Sequence, residues 1–147
     1  MLKVAVVGLG WWGRTIVGQL RGNSKLRPVL LVDVNAEAGR AFADTQGMAF
    51  EPDFMRVLAN PEVQGVVLCT PHTLHCEQIV AAAKAGKHVF CEKPLSMTRQ
   101  EVLRAVEAVR THGVVLAVGH ERRFEPPILE AMRLLHSGVL GTPLQVE

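Results

Sequence analysis

Hydrophobic positions along this chain fall into short, nearly continuous runs separated by longer stretches of helical spacing. Five runs read as strands: Lys3–Val7, Val29–Val32, Val66–Cys69, His88–Cys91 and Val114–Val118. They are rich in β-branched residues and do not alternate apolar with polar, which is the pattern of strands covered on both faces. Residues 48–60 add a short strand around Met48–Phe50 and a short helix around Asp53–Ala59. Val102, Ala105, Val106 and Val109 repeat at i, i+3, i+4 and i+7, so one stripe of that helix faces a core. Thr98 and Glu101 stand at capping-box spacing before the stripe, and Gly113 stands where a C-terminal cap belongs. A helix over Glu77–Ala85 ends in the same way at Gly86, and two earlier helices begin near Trp11 and Ala36. A last helix spans Pro127–Ser137, with Ile128, Leu129, Met132 and Leu135 facing either the core or a further domain.

This alternation of strands and helices predicts an α/β fold with a doubly wound parallel sheet. Ligands of such sheets bind beyond the carboxyl ends of the strands, where the strand order reverses. Candidate chemistry is therefore judged by whether it lies at a strand's end.

Composition narrows the function classes. The chain has 147 residues, of which 48% are hydrophobic and 20% charged, enough for a core without metal or disulfide staples. Lys and Arg number 16 against 14 acidic residues, a formal charge of +2, and Arg122-Arg123 alone is no basic patch. Nucleic acid and membrane surfaces are thus not expected partners. Leu2–Leu9 is too short to span a bilayer. Cys69, Cys76 and Cys91 are odd in number and form no CxxC pair, which suits a cytoplasmic setting.

Gly8-Leu9-Gly10-Trp11-Trp12-Gly13 reads as G-x-G-x-x-G between the first strand and a helix. Gly8 permits the tight turn, Gly10 the approach of a diphosphate, and Gly13 close packing of helix on strand. The free amides and the positive helix end then hold the anion. Asp33 ends the second strand, about twenty residues beyond Gly13, where a carboxylate meets the adenine-ribose hydroxyls. That carboxylate repels a 2′-phosphate and no Arg follows it directly, so NAD is favoured, with NADP possible. Thr70-Pro71-His72 follows a strand at the same edge, with His75 and Cys76 close behind. No fourth ligand stands at helpful spacing, so no metal is expected; His75 reads as ligand-facing or structural. Glu92-Lys93-Pro94 is the third feature there, and a Lys beside a nicotinamide can stabilise a developing alkoxide.

Together these stretches resemble the cofactor domain of the glucose-fructose oxidoreductase, inositol dehydrogenase and rhizopine-catabolism (GFO/IDH/MocA) family. The matching segments are Val4–Gly13, Val32–Asn35, Cys69–His75, Ala85–Leu95 and Val118–Pro126, in the family's order. The resemblance implies NAD(P)-dependent oxidation or reduction of a sugar, cyclitol or related polyol. It also implies that Gly8, Gly10, Trp11, Trp12 and Gly13 hold the diphosphate and Asp33 the ribose. Thr70, Pro71 and His75 would lie along the cofactor, Glu92 and Lys93 near the nicotinamide, with Lys93 the catalytic lysine. Arg123 matches the family's Arg before Phe, whereas His120 stands where an amide residue is common, which leaves its role open.

Members of that family usually carry a second domain, whose Asp-x-x-x-His motif supplies the general acid and base. Neither Asp33, Asp44 nor Asp53 has a His four positions on. The expected organisation is a dinucleotide-binding domain over residues 1–125, then a connecting helix and the entry to an absent substrate domain over 126–147. The chain alone is expected to bind cofactor and turn nothing over, and the complete enzyme is expected to be a homo-oligomer. A non-catalytic NAD-binding regulatory or scaffold module is the alternative.

Overall fold

The computed structural model describes residues 1–142, 144 and 145. Six parallel strands, β1 (Leu2–Val7), β2 (Leu26–Val32), β3 (Ala49–Glu51), β4 (Gly65–Leu68), β5 (His88–Glu92) and β6 (Leu116–Gly119), form one sheet in the order β3-β2-β1-β4-β5-β6. The order reverses between β1 and β4, so the loops leaving these two strands bound a crevice.

Helices cover both faces. Alternate residues of β1 divide between them: Val4 and Val6 pack with Val17 of α1 (Trp11–Gln19) and Ala43 of α2 (Ala36–Gln46). Ala5 and Val7 face the opposite core, with α3 (Phe54–Ala59), α4 (His72–Lys84) and α5 (Arg99–Thr111). A continuous apolar run is what such two-sided burial demands. Over β4–β6 no helix among the described residues covers the first face, and Val67, Phe90 and Ala117 help line an apolar groove of about 370 Å³. After β6 come a 3₁₀ turn, Glu121–Phe124, and α6 (Pro126–His136). No residue of α6 is buried, and Ile128, Leu129 and Met132 stay exposed. Of the expected entry into a further domain, Pro143, Val146 and Glu147 lie outside the described residues.

Three elements begin two or more residues away from the sequence expectation, and several other boundaries move by a single residue. β2 begins at Leu26, not Val29, because a register shift opposite Val4 and Ala5 absorbs the break at Pro28. Pro28 also precedes the stretch that pairs with β3, where its missing N–H would cost a ladder bond. α4 begins at His72 rather than Glu77; its buried side is His75, Cys76, Ile79, Ala82 and Ala83, and a His and a Cys do not read as an apolar stripe. β6 begins at Leu116 rather than Val114, since the Val115 amide is taken by the His88 ring at 3.1 Å.

The lower edge of the sheet is aligned by one buried cation. Lys87 Nζ donates to the carbonyls of Asn60 (2.9 Å) and Val63 (2.7 Å), tying the approach to β4 to the approach to β5. Lys87→Met strands two carbonyls and lowers stability by about 2–3 kcal/mol, read as a fall in the urea midpoint; a change below about 0.5 kcal/mol contradicts this role.

Candidate functional site

Gly8 follows β1 with φ +89°, a conformation that only glycine adopts without strain. A Cβ there would lie 2.7 Å from the Cys69 carbonyl carbon, so this turn is pressed against the end of β4. At Gly13 a Cβ would meet the Gly8 carbonyl oxygen at 1.8 Å, so helix and loop touch backbone to backbone. At Gly10, the N-cap of α1, nothing lies within 4 Å of that position. The loop is closed beneath and open above.

The open side is a place for an anion. Side chains of Asn35, Asp53 and Thr98 cap α2, α3 and α5, whereas α1 has no side-chain cap and no acidic residue in its first turn. Its first amides have no intrahelical acceptor and sit at the positive end of the helix dipole. The donor set therefore fits a diphosphate.

Asp33 lies beside this loop and does more than the sequence suggested. The Leu9 amide donates to its Oδ2 at 2.6 Å, and the Asn35 amide donates to Oδ1 at 2.9 Å. One carboxylate thus fixes the glycine loop and the turn into α2, and each oxygen keeps a second lone pair for a ligand.

The opposite wall comes from β4 and β5. His75 is fully buried; its Nδ1 lies 2.9 Å from the Pro94 carbonyl and its Nε2 2.9 Å from that of Thr70. The ring stands packed between the two loops; a neutral imidazole carries one N–H, so it donates to one of the two carbonyls at a time. The Thr70 hydroxyl donates to Gln78 Oε1 at 2.5 Å, and Pro71 is the N-cap of α4. Cys76 turns away from the cleft, where the Arg104 guanidinium donates to its Sγ at 3.1 Å. His75 and Cys76 are thereby committed elsewhere, and no metal-holding cluster exists among the described residues.

Trp11, Trp12, Cys69, Thr70, His72, His75, Glu92, Lys93 and Glu121 line a cleft of about 400 Å³. Trp11 is 80% exposed, its ring 5.4 Å from that of Trp12. Trp12 Nε1 is buried without a hydrogen-bond partner among the described residues. Glu92 is buried at the end of β5, while Lys93 beside it is exposed. Burial, and then the Glu92 charge, push the Cys69 and Cys91 thiols up to about 12, so both stay protonated at neutral pH. A second hollow of about 400 Å³ adjoins, lined by Lys93, Pro94, His120, Glu121, Arg122 and Arg123. Of the candidate site residues singled out in the sequence, the structure brings all but Pro71 and Cys76 to these two concavities or to the glycine loop beside them, Asp33 through its bond to the Leu9 amide. Spacing gave no sign of the place His75 takes between the two loops.

Known proteins resemble this chain in sequence and in fold. An oxidoreductase family described by its NAD-binding Rossmann fold matches residues 2–120. Inositol 2-dehydrogenase 4 of Saccharopolyspora erythraea is 39% identical over 146 residues, covering 97% of this chain and 43% of that protein. A probable dehydrogenase from Thermotoga maritima superposes with a TM-score of 0.90 at 31% identity, covering 97% of this chain and 43% of the other. A scyllo-inositol dehydrogenase from Lactobacillus casei, solved with NAD(H) and scyllo-inositol, gives 0.88 at 25% identity over 96% of this chain and 42% of its own. The chain spans about two fifths of the length of the curated relatives it matches.

His75→Leu removes the imidazole N–H that one of the Thr70 and Pro94 carbonyls accepts, together with the ring packed between the two loops. It is expected to lower unfolding stability by about 2–4 kcal/mol, and an unchanged urea midpoint would show that the ring does not hold the loops.

Proposed function

This chain belongs to the oxidoreductase family with an NAD-binding Rossmann fold, and on that premise we propose that it is the cofactor-binding part of a dehydrogenase acting on a CH–OH carbon of a sugar, cyclitol or related polyol. The observation that carries this reading is the position of Lys93, which lines both the cleft and the adjoining hollow. A bound nicotinamide supplies the carbon that accepts or returns hydride. The Lys93 ammonium, exposed at the border, donates to the substrate hydroxyl and steadies the alkoxide as charge develops.

Gly8, Gly10, Trp11, Trp12 and Gly13 hold the diphosphate in this reading, with the α1 amides as donors. Asp33 accepts from the adenine-ribose hydroxyls through its remaining lone pairs. Thr70, Pro71 and His75 support the cofactor's length, and Glu92 and Lys93 flank its nicotinamide end. Polar His120, Arg122 and Arg123 around the hollow suit a many-hydroxyl substrate, as do the inositol dehydrogenases among the relatives. The general acid and base would come from a second domain, and the weak packing of α6 supports a boundary after residue 125. The resemblance carries the proposal of a homo-oligomeric complete enzyme. The three free thiols support a cytoplasmic setting, and no helix among the described residues is long and apolar enough to cross a membrane.

Cofactor choice tests the reading. The segment after Asp33, Val34-Asn35-Ala36-Glu37-Ala38, holds no cation for a 2′-phosphate. In a fluorescence titration on Trp11 and Trp12, NADH is expected to bind at least about tenfold more tightly than NADPH. Asp33→Ala is expected to cut that ratio to about twofold or less while weakening NADH, because the Leu9 amide loses its acceptor. Equal affinities in the unmodified chain would overturn the Asp33 assignment.

A further inference from the structure

Glu92 and Gly119 end adjacent strands and pair directly across the β5–β6 ladder. Side chains of paired residues leave the same face of a sheet side by side, so what stands at 119 decides the room available to Glu92. A Cβ built on Gly119 falls 2.6 Å from Glu92 Oε1, 2.8 Å from its carboxyl carbon and 2.9 Å from Oε2. The carboxylate occupies the space a side chain would take.

This glycine differs from the others that are tightly packed. At Gly8 and Gly13 the obstacle is backbone, and at Gly39 it is the Phe50 ring. At Gly119 all three nearest atoms belong to the end of one flexible side chain, which can move without disturbing the fold. Gly119 is also absent from the positive-φ glycines, so its backbone makes no demand for glycine. Glu92 is 7% exposed, yet among the described residues its carboxylate accepts one hydrogen bond, a long one of 3.3 Å from the Lys93 amide. It is held by shape more than by bonds.

We propose that Gly119 is a positioning residue: its missing side chain lets the Glu92 carboxylate lie back against β6, clear of the space beside Lys93 that the nicotinamide half of the dinucleotide enters. This rests on reading the cleft as the nicotinamide site. A methyl group at 119 pushes the carboxylate off β6 and toward the end of β4, into the cleft. Gly119 thus shapes the cleft through another residue and touches neither cofactor nor substrate itself.

A double-mutant cycle with Gly119→Ala and Glu92→Ala tests it, read by the affinities for NADH and for ADP, which lacks the nicotinamide half. Gly119→Ala alone is expected to weaken NADH about tenfold and to leave ADP within about twofold. In the Glu92→Ala background the same substitution is expected to change neither ligand by more than about twofold. An equal loss of NADH affinity in both backgrounds, or no loss in either, overturns the proposal. A second measurement needs no cofactor: in a crystal structure of Gly119→Ala, the Glu92 carboxylate is expected to have moved by about 0.8 Å or more to restore ordinary contact. An unmoved carboxylate there overturns the positioning role even if NADH binds as expected. A moved carboxylate in a protein that binds no NADH supports the positioning role and sinks the reading of the cleft instead.

Discussion

The hydrogen bond from the Leu9 amide to the Asp33 carboxylate is the contact on which the site's geometry depends. A parallel sheet delivers every strand's carboxyl end to one edge, and every connecting loop leaves there with amides and carbonyls the ladder no longer satisfies. The chain answers with side chains that reach from one loop to the next. Asp33 holds the glycine loop to the end of β2, and His75 packs between the loops after β4 and β5. The close approach of Gly8 to the Cys69 backbone joins the two halves. The α1 N-terminus thereby carries no side-chain cap and no acidic residue in its first turn.

The electrostatics of the cleft follow from that frame. Positive potential comes from the uncapped end of α1 and from Lys93, while Glu92 and Glu121 contribute negative charge on the far wall. Diphosphate and nicotinamide halves of a dinucleotide would so meet different fields. The thiols beneath, Cys69 and Cys91, are kept protonated by burial and by Glu92, which leaves them poor nucleophiles under a bound cofactor.

Much of this was legible in the sequence because the signals are local. The glycine loop, the strands in the middle of the sheet, and the capping box of Thr98 and Glu101 are set by residues a few positions apart, and each appears as expected. What escaped depends on contacts between distant segments. His75 reads as either ligand-facing or structural until the Thr70 and Pro94 carbonyls stand on either side of it. The start of α4 was hidden because a His and a Cys occupy its buried side. Gly119 carries no turn and no motif, and its meaning appears only when β6 lies against Glu92. The extra role of Asp33 was hidden for the opposite reason: a known motif had already given it a use.

The central claim is that the cleft is built before any ligand enters, with the loops fixed by these cross-loop contacts. The most direct measurement is a crystal structure of this chain with NADH bound. The account predicts diphosphate oxygens within hydrogen-bonding distance of the amides at Gly10–Trp12, the nicotinamide beside Lys93, and the Asp33–Leu9 and His75 contacts retained. A diphosphate bound away from the α1 N-terminus, or a glycine loop rebuilt with Asp33 released, would contradict it.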